Sequence, residues 1–202
     1  MPVPAFTIDG VIPPYTGANG PGGASQQMTP YEATPLEVVQ RFATTERRRE
    51  ILRHWLEHRL LLRDLGIVAG FQWLNGSFVE DKEPNDLDIV TFFRRPAAAQ
   101  TPLAMAQLMR ANPEVLLTAP IKAVRRLDSF LVDLDATTEA IIDATRYWCG
   151  LFSHRRGDDL WKGMVKVSLD PTEDDIALLS LAEPPLREEH QDAEITAQDE
   201  PQ

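Results

Sequence analysis

The stretch Leu74–Val90, "LNGSFVEDKEPNDLDIV", decides the fold prediction. It sets a Gly-Ser pair before a charged turn and then places two aspartates, Asp86 and Asp88, inside an apolar run that continues to Phe93. Residues i and i+2 of a strand point to the same face, so both carboxylates are expected to project together. Two like charges held so close repel, and ionising both is costly without a cation. The pattern therefore predicts a strand that carries a divalent-cation site.

The Gly-Ser pair, Gly76 and Ser77, falls at the turn after the preceding apolar segment. Glycine lets the backbone approach a ligand closely, and a serine hydroxyl beside free backbone N–H groups can hold phosphate oxygens. Magnesium prefers oxygen ligands and is often shared between carboxylates and substrate phosphates. The spacing therefore predicts a turn that binds phosphates next to a strand that binds their magnesium.

A third carboxylate usually completes such a cation site. The segment Phe130–Asp135, "FLVDLD", alternates as a strand, and Asp133 lies in it between two apolar residues, as Asp88 does in its own strand. Asp133 is the expected third ligand, and Asp135, which shares its strand face, is the alternative. The prediction requires Asp133 to fold back beside Asp88.

Gly76-Ser77, followed nine residues after Ser77 by Asp86-Leu87-Asp88 and later by an apolar-Asp-apolar strand, resembles the polymerase-β-type nucleotidyltransferase superfamily. The resemblance implies an α+β fold, with a small mixed β-sheet flanked by helices. It also implies transfer of a nucleoside monophosphate from an NTP to an acceptor, with Mg²⁺ or Mn²⁺ held by Asp86, Asp88 and Asp133. The third carboxylate, Asp133, is then expected to deprotonate the acceptor hydroxyl.

Basic residues near the nucleotide are a further expectation from this resemblance. Lys162 lies on a predicted strand, Trp161–Leu169, and Lys82 lies in the turn before Asp86. Both are candidates to bind phosphate together with Gly76 and Ser77. A solvated strand face for Lys162 and a plain surface lysine for Lys82 stay open as alternatives.

The chain also resembles small bacterial members of that superfamily, which often belong to toxin–antitoxin or phage-defence loci, where some transfer AMP from ATP to a partner toxin. With 202 residues, the chain has little room for a separate substrate domain. We therefore expect a protein partner (a toxin or effector) or an RNA end as acceptor. The alternative is a non-catalytic module of the same fold that binds and regulates a partner protein.

Charge and composition narrow the partners further. Residues 170–202 contain 11 acids and one base, so they carry −10 of the net −11, and the rest of the chain is nearly neutral. A long DNA duplex is therefore not an expected partner. No apolar run approaches the roughly 20 residues of a membrane helix, the N-terminus lacks the pattern of a signal peptide, and there is a single cysteine. These features predict a cytoplasmic protein without a membrane partner.

The sequence divides into three parts. Residues 1–35 are rich in Pro and Gly and predict an irregular arm, residues 36–182 the nucleotidyltransferase-like domain, and residues 183–202 an acidic, disordered tail. Helices are predicted at Leu36–Ala43, Thr45–Leu65, Pro102–Asn112, Thr137–Phe152 and Pro171–Leu181. Strands are predicted at Phe71–Leu74, Leu87–Phe93, Phe130–Asp135 and Trp161–Leu169.

One competing motif is "HWLEH" at His54–His58, the His-x-x-Glu-His pattern of one class of zinc peptidases. Such a site needs a third ligand from a later helix, and no glutamate stands out there. His58 also falls on the packing side of its predicted helix. Two ordinary helical histidines are the favoured interpretation.

Overall fold

In a computed structural model, residues 3–17 and 27–182 are described. Five strands within these ranges form one mixed sheet: β1 Tyr31–Glu32, β2 Gly70–Asn75, β3 Leu87–Phe93, β4 Leu127–Asp133 and β5 Val165–Ser168. Their order across the sheet is β1-β5-β2-β3-β4. Strand β2 runs antiparallel to β3 and β5, whereas β3 with β4 and β1 with β5 are parallel pairs. The predicted combination of helices with a small mixed sheet is thus present.

Seven α-helices occur in the described residues: α1 Pro35–Phe42, α2 Glu46–Asp64, α3 Pro102–Ala111, α4 Pro113–Leu116, α5 Thr118–Val124, α6 Thr138–Phe152 and α7 Asp174–Ala182. Four begin behind a threonine whose hydroxyl accepts a backbone N–H, namely Thr34, Thr45, Thr101 and Thr137. The sequence did not predict α4 or α5, because four and seven residues are too few to show a helical period. None of the described helices is both long and apolar enough to cross a membrane.

The two faces of the sheet are buried against different helices. On one face, Leu87 and Ile89 of β3 join a core with α1 and α2. On the other, Val90 and Phe92 pack with Trp148 of α6. Asp88 has the same parity as Val90 and Phe92, so it projects to the α6 face.

Strand β4 differs from its prediction. It begins at Leu127, three residues before the predicted start, and ends at Asp133. Helix α5 ends only at Val124, and the Arg126 carbonyl already accepts the Leu87 N–H at 3.0 Å. The chain therefore enters the sheet directly from the helix, and Asp128 lies inside the strand.

The last strand is shorter than predicted. Only Val165–Ser168 pair in the sheet, and Trp161, predicted in the strand, is 62% exposed. The Lys162 N–H donates to the Ser153 carbonyl at 2.8 Å, and the Gly163 N–H to the Ile12 carbonyl at 2.6 Å. Carbonyl groups at the end of α6 and in the N-terminal arm thus accept these N–H groups, which would pair with a neighbouring strand if β5 began earlier.

The described part of the N-terminal arm packs on the domain. Val3, Val11 and Ile12 are buried, Val11 forms an isolated bridge with Glu80, and Tyr31 begins the edge strand. The arm therefore contributes to the core beside the turn that follows β2. The predicted disordered tail, residues 183–202, lies outside the described residues, as do residues 1–2 and 18–26.

Candidate functional site

The candidate site lies where β2 ends and where β3 and β4 begin. Asn75, the last residue of β2, pairs with Asp88 near the start of β3, and Asp88 pairs with Asp128 near the start of β4. These three positions border a pocket of about 250 Å³, closed on one side by Phe152 at the end of α6. The pocket lining also includes Gly76, Ser77, Lys82, Asp86 and Lys162, all predicted from the sequence.

Three aspartates line this pocket, one from β3, one from the residue before it and one from the adjacent strand β4. Asp88 and Asp128 occupy paired positions in the parallel register of β3 and β4, so both side chains share one sheet face. Asp86, just before β3, is two residues from Asp88 and joins them. The structure therefore brings together Asp86, Asp88 and Asp128.

The expected position of Asp133 beside Asp88 is wrong. Asp133 pairs with Phe93 at the far end of the strands, and its Oδ2 accepts a hydrogen bond from Arg95 Nε at 2.7 Å. Asp133 lies five positions beyond Asp128, which is about 16 Å along a strand, and an odd number of positions places the two side chains on opposite faces. The alternative, Asp135, lies at the same far end and pairs with Arg94 at 2.8 Å.

The sequence contained a signal for Asp128 that was missed. Asp128, Phe130 and Val132 alternate along β4 as Asp88, Val90 and Phe92 do along β3. The preceding "VRR" at 124–126 is a basic cluster next to a helix end, and it obscures the start of the strand. The repeated alternation indicates a strand that begins before Phe130, but the register of that strand against β3 depends on the tertiary structure.

Gly76 is required by the geometry of the turn after β2. Its φ is +75°, and a Cβ built there would lie 1.8 Å from Asp88 Oδ2, far inside van der Waals contact. The preceding Asn75 side chain accepts the Gly76 N–H at 2.7 Å and donates to the Phe152 carbonyl at 3.0 Å. The turn, the Asp88 carboxylate and the end of α6 are therefore held as one unit, with Ser77 beside them in the pocket lining.

The carboxylates act on one another electrostatically. Burial, followed by the nearby charges of Asp86 and Asp128, raises the pKa of Asp88 to about 6, although Arg156 and Lys162 oppose the shift. An aspartate in such surroundings is stabilised by a positive ligand. The three aspartates thus form a site that favours a cation.

The two predicted phosphate-binding lysines are both paired with Glu80. Lys162 Nζ lies 2.6 Å from Glu80 Oε1 and donates to the Gly76 carbonyl at 3.0 Å, while Lys82 Nζ lies 2.7 Å from Glu80 Oε2. Burial acts to raise the pKa of Glu80, but hydrogen bonds from both lysines lower it overall. Lys162 is buried, so its geometry points to a role in holding the Gly76 turn. Lys82 is about half exposed at the rim.

Two further cations line the pocket and were not predicted as site residues. Lys122 of α5 places Nζ 2.7 Å from Asp128 Oδ2 and 3.6 Å from Asp86 Oδ2. The hydrogen bond to Asp128 is the main reason that the pKa of Lys122 is raised. Arg156, just after α6, is exposed in the lining and makes no hydrogen bond or ion pair with any other residue in the described ranges.

The alternative zinc motif does not form a site. His58 is fully buried and its Nε2 donates to the Val115 carbonyl at 2.8 Å. Burial lowers its pKa to about 4. His54 Nδ1 accepts the Arg126 N–H at 3.4 Å. Both histidines therefore serve packing and loop attachment, as the favoured interpretation predicted.

A family model matches residues 4–168 of the chain. The chain belongs to DUF6932, a family of unknown function. No curated protein and no solved structure matches the chain. The DUF6932 match begins in the N-terminal arm and includes all five strands and every residue of the pocket, whereas α7 lies beyond it.

The donor set of this DUF6932 pocket fits a hard divalent cation such as Mg²⁺. Asp86, Asp88 and Asp128 offer only carboxylate oxygens, and Asp88 is partly buried beside Gly76 with its charge incompletely balanced. These three residues would hold the ion. Their side chains are not yet arranged around a common point, since no group of three or more His, Cys, Asp or Glu within residues 3–17 and 27–182 is placed to hold a metal in this structure. Lys122 instead supplies the positive charge between Asp86 and Asp128.

Proposed function

We propose that this DUF6932 protein is a Mg²⁺-dependent nucleotidyltransferase, which transfers a nucleoside monophosphate from an NTP to an acceptor hydroxyl. The observation that carries the proposal is the convergence of Asp86, Asp88 and Asp128 on one sheet face beside the Gly76–Ser77 turn. The resemblance in sequence motif supports it, with Asp128 in the place expected for Asp133.

Different residues around the pocket have different roles in such a reaction. Ser77 and the turn it belongs to contact the phosphates, and Arg156, exposed in the lining, is the available cation for their negative charge. Lys162 and Glu80 keep the turn in place. A bound divalent cation supplies charge neutralisation for the carboxylates and the leaving pyrophosphate.

Asp128 is the proposed general base. Its carboxylate takes the proton of the acceptor hydroxyl, whose oxygen then forms a bond to the α-phosphorus as the bond to the β-phosphate oxygen breaks. Pyrophosphate leaves with the electron pair of that bond. Asp128 is suited to this role because its side chain is 21% exposed and, in the described residues, accepts a side-chain hydrogen bond only from the half-exposed Lys122.

The acceptor is proposed to be a protein side chain or an RNA end supplied by a partner. The pocket of about 250 Å³ is bordered by residues of a single small domain, and the described residues form no second substrate domain. A cytoplasmic toxin–antitoxin or phage-defence partner follows from the resemblance and belongs to the same proposal.

Incubation with each α-³²P-labelled NTP and Mg²⁺, with and without the product of a neighbouring gene or an RNA, tests the proposal. Label transfer is expected from the wild type, and its loss is expected in an Asp86→Asn/Asp88→Asn variant that keeps its fold by circular dichroism. Absence of nucleotide binding in calorimetry by the folded wild type would overturn the proposal.

A second candidate is a non-catalytic module that binds and regulates a partner protein. The observation that favours it is the ammonium group of Lys122, which lies between two of the three carboxylates. Under this candidate, partner binding is retained in the Asp86→Asn/Asp88→Asn variant and no label is transferred by any form of the chain. Pull-down of the neighbouring gene product with both forms therefore separates the two candidates.

A further inference from the structure

We propose that Lys122 is a tethered counterion of the acidic site, which competes with a divalent cation for Asp86 and Asp128 and leaves them when the cation binds. The inference rests on the proposed function, because it concerns how the same carboxylates take up their cation. Under this inference, a side chain of the protein itself regulates how tightly the aspartates bind a cation.

The position of the ammonium group is the first observation. Lys122 reaches from the last turn of α5, and its Nζ lies 2.7 Å from Asp128 Oδ2 and 3.6 Å from Asp86 Oδ2. It thus bridges one carboxylate just before β3 and another in β4. A cation that coordinates both carboxylates has to share these oxygens with the ammonium group or displace it, because two positive charges a few ångströms apart repel.

The charge balance of the pocket is the second observation. Four acids line it together with four lysine or arginine side chains and one histidine: Glu80, Asp86, Asp88 and Asp128 against Lys82, Lys122, Arg156, Lys162 and His154. Lys82 and Lys162 both pair with Glu80. Among the described residues, Lys122 is therefore the one cation that forms ion pairs within the group of three aspartates, with Asp86 and Asp128, and it changes the formal charge of the group from −3 to −2.

The exposure of Lys122 makes the displacement feasible. Its side chain is 51% exposed, and ion pairs of exposed lysines contribute little net stability because water competes for both groups. Lys162, by contrast, is 4% exposed and donates to both Glu80 and the Gly76 carbonyl. Of these two lysines, only Lys122 can leave its partner without disturbing the turn.

Binding of Mn²⁺ to the full chain, measured by the loss of the free-ion electron paramagnetic resonance signal, tests the inference. Lys122→Met is compared with Lys82→Met as a matched control. Lys82 lines the same pocket and its side chain is 54% exposed, but it pairs with Glu80 and not with the aspartates. We expect Lys122→Met to bind Mn²⁺ about tenfold more tightly than the wild type, since a competing positive charge is gone. The Mn²⁺ affinity of Lys82→Met should stay within about twofold of the wild-type value, because the Lys82 ammonium group pairs with Glu80 and not with the aspartates.

Three outcomes would overturn the inference: unchanged Mn²⁺ affinity in Lys122→Met, weaker affinity, or an equal gain in both variants. A second substitution, Lys122→Gln, provides the same comparison if the methionine variant does not fold, as judged by its melting curve in EDTA.

The inference and the proposed function can fail separately. If Asp88→Asn abolishes Mn²⁺ binding but Lys122→Met binds no more tightly, the counterion role fails and the cation site remains. If no variant binds Mn²⁺, both fail. If Lys122→Met shows the expected gain but no form transfers label from any NTP, the counterion role stands and the nucleotidyltransferase activity fails.

Discussion

Asp88 and Asp128 stand opposite each other on two adjacent parallel strands, and their side chains share one face of the sheet. Paired residues of parallel strands lie side by side, so this register alone brings two carboxylates together. Burial and the charges of Asp86 and Asp128 raise the pKa of Asp88 to about 6. Asp88 can lie in an otherwise apolar strand because it stands near the end of that strand, where the strand borders a polar pocket.

The identity of the third carboxylate gives the first prediction. Asp128→Asn should abolish transfer of label from an NTP, whereas Asp133→Asn should retain it, because Asp133 lies at the far end of β4 and pairs with Arg95. The transfer assay with α-³²P-labelled nucleotides measures both. Melting temperatures of the two variants serve as the control for folding. Loss of transfer in a folded Asp133→Asn variant, with transfer kept in Asp128→Asn, would contradict the assignment.

The raised pKa of Asp88 gives a prediction for stability. The folded-state pKa is about 6 and the ordinary value is 3.8, so the folded chain holds this proton more strongly than the unfolded chain does. The contribution of Asp88 therefore favours folding below about pH 4 and is lost as the pH rises through about 6. The Asp88→Asn variant has a neutral side chain at this position at every pH and therefore avoids the loss of stability. It should be more stable than the wild type by about 1–3 kcal/mol at pH 7.5 in EDTA.

Urea denaturation of the wild type and Asp88→Asn at several pH values measures this difference. Below about pH 4 the two chains should be nearly equal in stability, because both then carry a neutral group at this position. A variant less stable than the wild type at pH 7.5 would show that Asp88 is not electrostatically strained.

The contact between Gly76 and Asp88 gives the third prediction. A methyl group at position 76 meets Asp88 Oδ2 at 1.8 Å, and the backbone there has φ +75°. Gly76→Ala should therefore destabilise the fold by about 2–4 kcal/mol, of which about 1–2 kcal/mol is the cost of a left-handed backbone for a residue with a Cβ. Denaturant unfolding gives the free energies.

A double-mutant cycle isolates the clash from the backbone term. In an Asp88→Ala background, Gly76→Ala should cost only the backbone part, about 1–2 kcal/mol, because the carboxylate it would strike is gone. Equal costs in both backgrounds would mean that Asp88 moves aside freely.

The two lysines on Glu80 give the fourth prediction. Lys162 is buried and bonds both Glu80 and the Gly76 carbonyl, whereas Lys82 is 54% exposed. Lys162→Met leaves Glu80 buried without that partner and should destabilise the fold by about 2–4 kcal/mol. Lys82→Met should cost less than about 1 kcal/mol, because the Lys82 ammonium group is half exposed and Lys162 remains paired with Glu80.

Thermal and urea unfolding compare these two variants directly. Nucleotide binding by the same variants adds a second readout, and Lys162→Met should weaken it only through the displaced turn. Equal and small stability losses for both lysines would indicate that Lys162 is a ligand-binding group and not a support for Gly76.

Some of this molecule could be predicted because the signals are local. The helix predicted at Thr45–Leu65 is present as α2, Glu46–Asp64, because Thr45 caps its start and Gly66, with φ +79°, follows its end. The apolar run of β3 and the Gly-Ser turn before it were also placed correctly, since strand character and turn chemistry depend on neighbouring residues.

The start of β4 could not be predicted as securely. Whether Asp128 or Asp133 faces Asp88 depends on the register between two strands about 40 residues apart in sequence, and a shift of one residue reverses every side chain. The short helix α5 ends at Val124 and delivers the chain into the sheet at Leu127, which sets that register. Nothing in the local pattern of "FLVDLD" reveals it.

The sequence by itself determined that Asp86 and Asp88 lie two residues apart at the start of a strand beside a glycine turn, because strand character and a tight turn are properties of consecutive residues. Only the tertiary structure decided which third carboxylate joins them, that Glu80 pairs with both Lys82 and Lys162, and that Lys122 lies between Asp86 and Asp128. Those contacts join elements distant in the chain, and their geometry depends on packing and strand register rather than on neighbouring residues.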